Sequence, residues 1–129
     1  MALPLLGLLA RALVGSVGSK GGLLSASLTT NFHEKFSESE VEEIVDELGQ
    51  EMEQRIIART TREDTGAMKG GWSIAPSGSG YSRNFHIENS QDYTIHHEYG
   101  TYKMSAIPMV RPTLEEAQDI LNEVVQKHK

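Results

Sequence analysis

The chain has 129 residues, of which 38% are hydrophobic and 23% are charged, with no cysteine and a formal net charge of −6. This size and balance predict a soluble protein with one modest core, and they exclude a disulfide framework or a thiolate metal site. Residues 34–129 carry all 18 acidic residues against 10 basic ones. An acidic body argues against tight binding to nucleic-acid phosphates, which needs clustered Lys and Arg.

The N-terminal segment differs in composition from the rest of the chain. Residues 2–17 are almost entirely apolar, yet sixteen helical residues span only about 24 Å, short of the roughly 30 Å hydrocarbon core of a bilayer. Residues 15–27 are rich in Gly and Ser, which is typical of a flexible connector, and a poorly ordered terminus is the simpler alternative. We predict an apolar, Gly/Ser-rich arm over 1–31, of which residues 2–17 dock on a partner, followed by one α+β domain over 32–129. The arm residues expected to make this contact are Leu3, Leu5, Leu6, Leu8, Leu9 and Leu13.

A long helix is predicted to begin after Ser37. Ser37 and Glu40 have the spacing of a capping box, in which each side chain accepts a hydrogen bond from the backbone N–H of the other residue. Apolar residues then recur at helical spacing, at Val41, Ile44, Val45, Leu48, Met52 and Ile56. The pattern predicts a helix over about 38–61 that buries one face.

A β-hairpin is predicted to follow. Trp72 and Ile74 share one face of a short strand that Pro76 should end. After a Gly/Ser loop, apolar or long side chains alternate with polar ones from Tyr81 to Ile87, which is typical of a half-buried strand.

Two helices are predicted in the C-terminal part. The first covers about 91–99 and stops at Gly100, and the second begins near Pro112 with a capping box at Thr113 and Glu116. The fold class expected is α+β: a small antiparallel sheet, the hairpin plus one or two further strands, packed against the long helix and the C-terminal helix. The residues expected to share the core are Val45, Leu48, Trp72, Ile74, Phe85, Ile87, Leu121 and Val124.

The sequence offers little catalytic or metal-binding chemistry. His96, His97 and Glu98 are contiguous, so on a helix they point in different directions and do not converge on one metal. We therefore predict no catalytic, cofactor-binding or metal-binding residue. Pairing of Asp64 with Glu98 in a metal-dependent nuclease or hydrolase remains the enzymatic alternative.

Two short motifs occur in order along the chain. The first is Asp64-Thr65-Gly66, shortly before Trp72. The second has the form Y-x-x-x-x-E-Y-G-T followed by P-M-x-R-P, and its residues are Tyr93, Glu98, Tyr99, Gly100, Thr101, Pro108, Met109, Arg111 and Pro112. Together they resemble the tail-completion, or neck, proteins of long-tailed double-stranded DNA phages. His97 departs from that pattern, which more often has an apolar residue there.

The resemblance implies a structural virion protein without enzymatic activity or cofactor. Such a protein forms a homo-oligomeric ring, commonly of six copies, at the neck of the bacteriophage. It completes the tail, joins it to the head, or both, by contacting the head connector or stopper and the tail terminator or tail tube. DNA passes through without specific binding, and no membrane is involved. The expected location is the virion, after assembly in the host cytoplasm, and a non-viral adaptor is a further alternative.

Overall fold

The computed structural model describes residues 10–32, 36–60, 66–103 and 105–128, without the side chains at 13–16 and 20. The fold is α+β, as predicted: an antiparallel sheet packs against a long helix and a C-terminal helix. The strands are β1 (Ala10–Lys20), β2 (Leu23–Phe32), β3 (Trp72–Ser77) and β4 (Asn84–Asn89), in the spatial order β1-β2-β4-β3. The helices are α1 (Glu38–Arg59), α2 (Ala67–Gly70), α3 (Thr94–Tyr99), α4 (Val110–Glu115) and α5 (Ala117–Lys127).

The predicted flexible connector over 15–27 is wrong, because residues from Ala10 onward form a β-hairpin in the sheet. Lys20 pairs with Leu23 across a two-residue turn whose glycines, Gly21 and Gly22, have φ of 60° and 85°. Two positive φ angles suit the right-handed twist of a tight hairpin, and glycine adopts them without a steric cost. In β2 the alternating residues Leu24, Ala26 and Leu28 are buried. The Ser and Gly content of this segment led to the prediction of a connector although buried and exposed positions alternate.

The arm prediction is therefore corrected for residues 10–31, which form a hairpin in the sheet of the domain itself. Leu13 lies within β1, while Leu3, Leu5, Leu6, Leu8 and Leu9 lie outside the described residues.

Helix α1 begins as predicted. Ser37 Oγ accepts a hydrogen bond from Glu40 N at 3.2 Å, and Glu40 Oε1 accepts one from Ser37 N at 3.1 Å. The hydrogen bond from Ser37 N, followed by a contribution from the Ser37 side chain, also lowers the pKa of Glu40, because both favour the charged carboxylate. At the other end, the Thr60 hydroxyl donates to Ile56 O and accepts from Trp72 Nε1, which joins the helix to the first residue of β3.

The β3–β4 hairpin is present, but its second strand starts later than predicted. Gly80–Ser82 form a 3-10 turn, so Tyr81 is outside the strand and donates its hydroxyl to Phe36 O at 2.6 Å. Pro76 lies within β3 and does not end it. Since β3 is an edge strand, a residue without an N–H is tolerated there.

One core lies between the sheet and the helices. Of the eight predicted core residues, seven are buried and Ile74 is partly buried against them. The buried face of β2 and the helix pair α4–α5 extend this core. The sheet and α1 thereby form a rigid base for the segment 89–116, which contains the second motif.

Candidate functional site

The second motif forms a corner between α3 and α4. Helix α3 ends at Tyr99, and the Gly100 N–H donates to His96 O at 2.7 Å. Gly100 has φ of 79°, a conformation that side-chain-bearing residues rarely adopt, so glycine lets the chain reverse there. The chain then returns to α3, where Ile107 N donates to His97 O at 2.8 Å. We call the segment from Tyr93 to Pro112 the motif corner.

Glu98 holds this corner together from the inside. Its side chain is 0% exposed, and Oε1 accepts hydrogen bonds from Met109 N and Val110 N, each at 2.8 Å. Oε2 accepts from Arg111 N at 3.1 Å and from Arg111 Nε at 3.0 Å. The carboxylate thus caps the first amides of α4, which has no capping side chain of its own. Glu98 therefore caps backbone amides and also pairs with Arg111.

Arg111 connects the buried carboxylate to the surface. Its Nη2 donates to the Glu98 backbone O at 2.6 Å, so the guanidinium contacts both the side chain and the main chain of one residue. The guanidinium carbon lies 4.4 Å from the centroid of the Tyr99 ring, within cation–π distance. The planar group therefore fixes the exposed Tyr99 ring to the end of α3.

The C-terminal helix starts earlier than predicted, at Val110, and the expected capping box at Thr113 is absent. The Thr113 hydroxyl donates to Met109 O at 2.9 Å and accepts from Arg59 Nη1 at 2.7 Å. Arg59 also approaches Glu116 Oε1 at 2.6 Å and lowers the pKa of Glu116 through this hydrogen bond. The cap comes instead from Glu98, which is distant in sequence. Arg59 in turn ties α4 to the end of α1.

A second buried polar group, Asn89, connects α2 to the motif corner and was missed by sequence reasoning. Its Nδ2 donates to Met68 O at 2.7 Å, while Oδ1 accepts from Gln91 N at 2.9 Å and from Thr94 Oγ1 at 2.8 Å. One amide thus joins α2 to the start of α3. The signal was the alternation of β4, which places position 89 on the same buried face as Phe85 and Ile87.

The remaining motif residues lie at the start of α2, in the motif corner, or outside the described residues. Gly66 begins α2 with φ of 78° and accepts a hydrogen bond from Gly70 N, whereas Asp64 and Thr65 lie outside the described residues. Pro108 and Thr101 are exposed, and Pro112 is half-buried in the first turn of α4. Tyr93 is partly exposed and packs edge-on against His97 at 5.9 Å between ring centroids.

The motif corner exposes aromatic side chains. Tyr99 is 43% exposed and Tyr102 is 93% exposed. The Thr101 hydroxyl accepts a hydrogen bond from Lys103 N at 3.2 Å, which shapes the tip of the loop. We call residues 99–103 the tyrosine loop. It is a protruding element on a tightly bonded base.

The structure gives the Glu98 carboxylate a structural environment. Four donors already occupy its two oxygens, which leaves no free position for a metal ion in this conformation. Among the described residues, no group of three or more His, Asp or Glu is arranged to hold a metal ion. Within the same residues, no helix has the length and apolar character to cross a membrane.

Comparisons of the chain with models of protein families, with curated proteins and with solved structures found no match. The resemblance to phage neck proteins accordingly depends on the two motifs and their order along the chain.

Proposed function

We propose that this chain is a structural protein of the phage neck. It assembles into a homo-oligomeric ring that completes the tail, joins it to the head, or both, around the path of the DNA. Its neighbours would be the head connector or stopper on one side and the tail terminator or tail tube on the other.

The observation that carries the proposal is the bonding of the motif corner. Glu98 of the first half of the motif caps the helix that Met109 and Arg111 begin in the second half. Asn89 links this corner to Met68, next to the upstream motif. The two halves of the second motif are therefore bonded to each other, and Asn89 connects them to α2. Such a rigid corner with a protruding aromatic loop suits a protein whose task is contact with other subunits.

The charge distribution agrees with a ring around DNA that does not grip it. The chain carries a net charge of −6, so a channel wall made from it offers no general attraction for phosphates. Weak interaction is what passage of a genome through a ring requires.

Deletion of the gene from its phage tests the proposal. We expect infected cells to accumulate heads and tails that remain separate in electron micrographs. Expression of the intact chain from a plasmid should restore joined particles, whereas expression of Glu98→Ala should restore fewer. Joined, infectious particles in the complete absence of the chain would refute the proposal.

A further inference from the structure

The tip of the tyrosine loop is almost fully exposed. Tyr102 is 93% exposed, and the Lys103 ammonium lies 5.4 Å from its ring centroid. The loop is anchored at its base, since Tyr99 is stacked under Arg111 and Gly100 is bonded to His96. An aromatic ring held out from a fixed base loses little conformational freedom on binding, which is typical of an interface anchor.

A groove on the same molecule matches this tip. It lies between α1 and the edge strand β3 and has a volume of about 260 Å³. Its apolar surface is formed by Val45, Gly49, Ile74 and Phe85. Gly49 opens it, because a Cβ at this position would lie 3.4 Å from Ile74 and 3.5 Å from the Phe85 ring. This volume is below the roughly 300–1,000 Å³ of small-molecule sites and suits one large side chain better than a ligand.

The charges around the groove and the loop are complementary. Asp46 and Glu53 line the rim of the groove, and Asp46 is already bonded to Arg83 at 2.9 Å. Among the described residues, Glu53 has no ion-pair partner. Lys103 follows Tyr102 directly, and its ammonium lies 5.4 Å from the Tyr102 ring centroid, so a ring entering the groove brings a cation to this acidic rim. No residue of the tyrosine loop lines the groove of its own subunit.

We propose that Tyr102 of one copy inserts into the α1–β3 groove of the next copy, with Lys103 approaching Glu53. Each copy then donates one loop and receives one loop. A contact between two different surfaces of the same chain is heterologous, and it produces a closed ring when the rotation between copies closes. The inference rests on the proposed ring and identifies the subunit contact that builds it.

Thiol cross-linking tests the contact directly, since the natural chain has no cysteine. A Lys103→Cys/Glu53→Cys chain treated with a short bis-maleimide should give a ladder of covalent oligomers on denaturing gels. Co-expressed Lys103→Cys and Glu53→Cys chains should give covalent dimers, and neither variant should do so alone. The matched control is Lys69→Cys/Gln126→Cys, a pair of exposed positions outside both surfaces, which should give no ladder.

Association measurements give an independent test. At concentrations where the chain is monomeric, Tyr102→Ala should leave the circular dichroism and the melting temperature unchanged, because the Tyr102 side chain is 93% exposed. Its subunit dissociation constant should rise by about 10- to 100-fold, as expected for loss of an interface anchor. Lys103→Glu and Glu53→Lys should each weaken association, and the double exchange should restore it.

The wild-type chain separates failure of the contact from failure of the ring. If wild type forms a ring while the Cys pair gives no ladder and Tyr102→Ala assembles normally, the contact is refuted and the proposed function stands. If wild type stays monomeric at all concentrations and no cross-link forms, both are refuted.

Discussion

Replacement of Glu98 is the perturbation whose effect the structure defines best. Glu98→Ala removes a fully buried carboxylate that accepts four hydrogen bonds. Met109 N and Val110 N would then lie buried without a partner, at about 1–3 kcal/mol for each unsatisfied donor. Arg111 is 43% exposed, so water can replace part of its lost ion pair. We expect the free energy of unfolding to fall by about 3–5 kcal/mol in total, as when one partner of a buried ion pair is removed.

A matched series distinguishes the charge from the shape of Glu98. Glu98→Gln keeps the size and one acceptor oxygen, but it places the side-chain NH₂, a donor, against the N–H groups of α4. The free energy of unfolding should therefore fall by a smaller amount, about 1.5–3 kcal/mol. The control is Glu115→Gln on the exposed face of α4, which should change stability by less than about 0.5 kcal/mol.

Urea unfolding monitored by the fluorescence of Trp72 measures these changes. All variants should be compared at one protein concentration, because assembly stabilises the folded subunit by mass action. A Glu98→Ala/Arg111→Ala double-mutant cycle should also show a coupling of more than about 0.5 kcal/mol, since the two side chains are in contact. The reasoning would be refuted if Glu98→Ala were within about 0.5 kcal/mol of wild type.

Three further predictions concern glycines and pH. Gly71→Ala should lower the free energy of unfolding by about 1–3 kcal/mol in the same urea assay, because the new Cβ would lie 2.8 Å from Ser90 Oγ and 2.9 Å from Asn89 Oδ1. The neighbouring Gly70→Ala is the control, since a Cβ there would have nothing within 4 Å. Equal effects of the two substitutions would contradict this packing. Gly49→Ala should raise the melting temperature, because alanine favours the helix by about 0.5–1 kcal/mol over glycine and the new Cβ would meet its neighbours at ordinary contact distances. A melting temperature below that of wild type would show that the groove cannot accept a methyl group. The folded state lowers the pKa of Glu116 below 4.5 through Arg59, so its contribution is fully present above pH 4.5 and is lost as the pH falls through the lowered pKa. Glu116→Gln should therefore reduce stability at pH 7 and flatten the loss in acid, whereas an unchanged acid profile would contradict that assignment.

Local signals were sufficient for the elements that periodicity and capping define. The capping box at Ser37 and the apolar stripe of α1 predicted that helix to within two residues at its C-terminal end. The alternation around Phe85 likewise identified β4, although the 3-10 turn at Gly80–Ser82 delayed its start. These patterns work because the residues that define each element are close in sequence.

The sequence-based predictions failed where one composition is compatible with two structures, or where a hydrogen-bond partner is distant in sequence. Gly and Ser indicate a linker when no pattern accompanies them, but Gly21-Gly22 between alternating residues forms a hairpin turn. The start of α4 was misplaced because its cap, Glu98, comes from another helix and leaves no local signal. Asn89 was missed because its partners lie on both sides of it, at Met68 and Thr94. The motif corner is thus a tertiary structure that spacing alone does not reveal.

Native mass spectrometry of the intact wild-type chain tests the central claim most directly. A subunit of 14.2 kDa that forms a six-membered ring should give one dominant closed species of roughly 85 kDa, without a continuous ladder of sizes. A single closed ring with another copy number would also agree with the proposed assembly. A chain that remains monomeric or dimeric at every concentration up to the limit of its solubility would contradict the account.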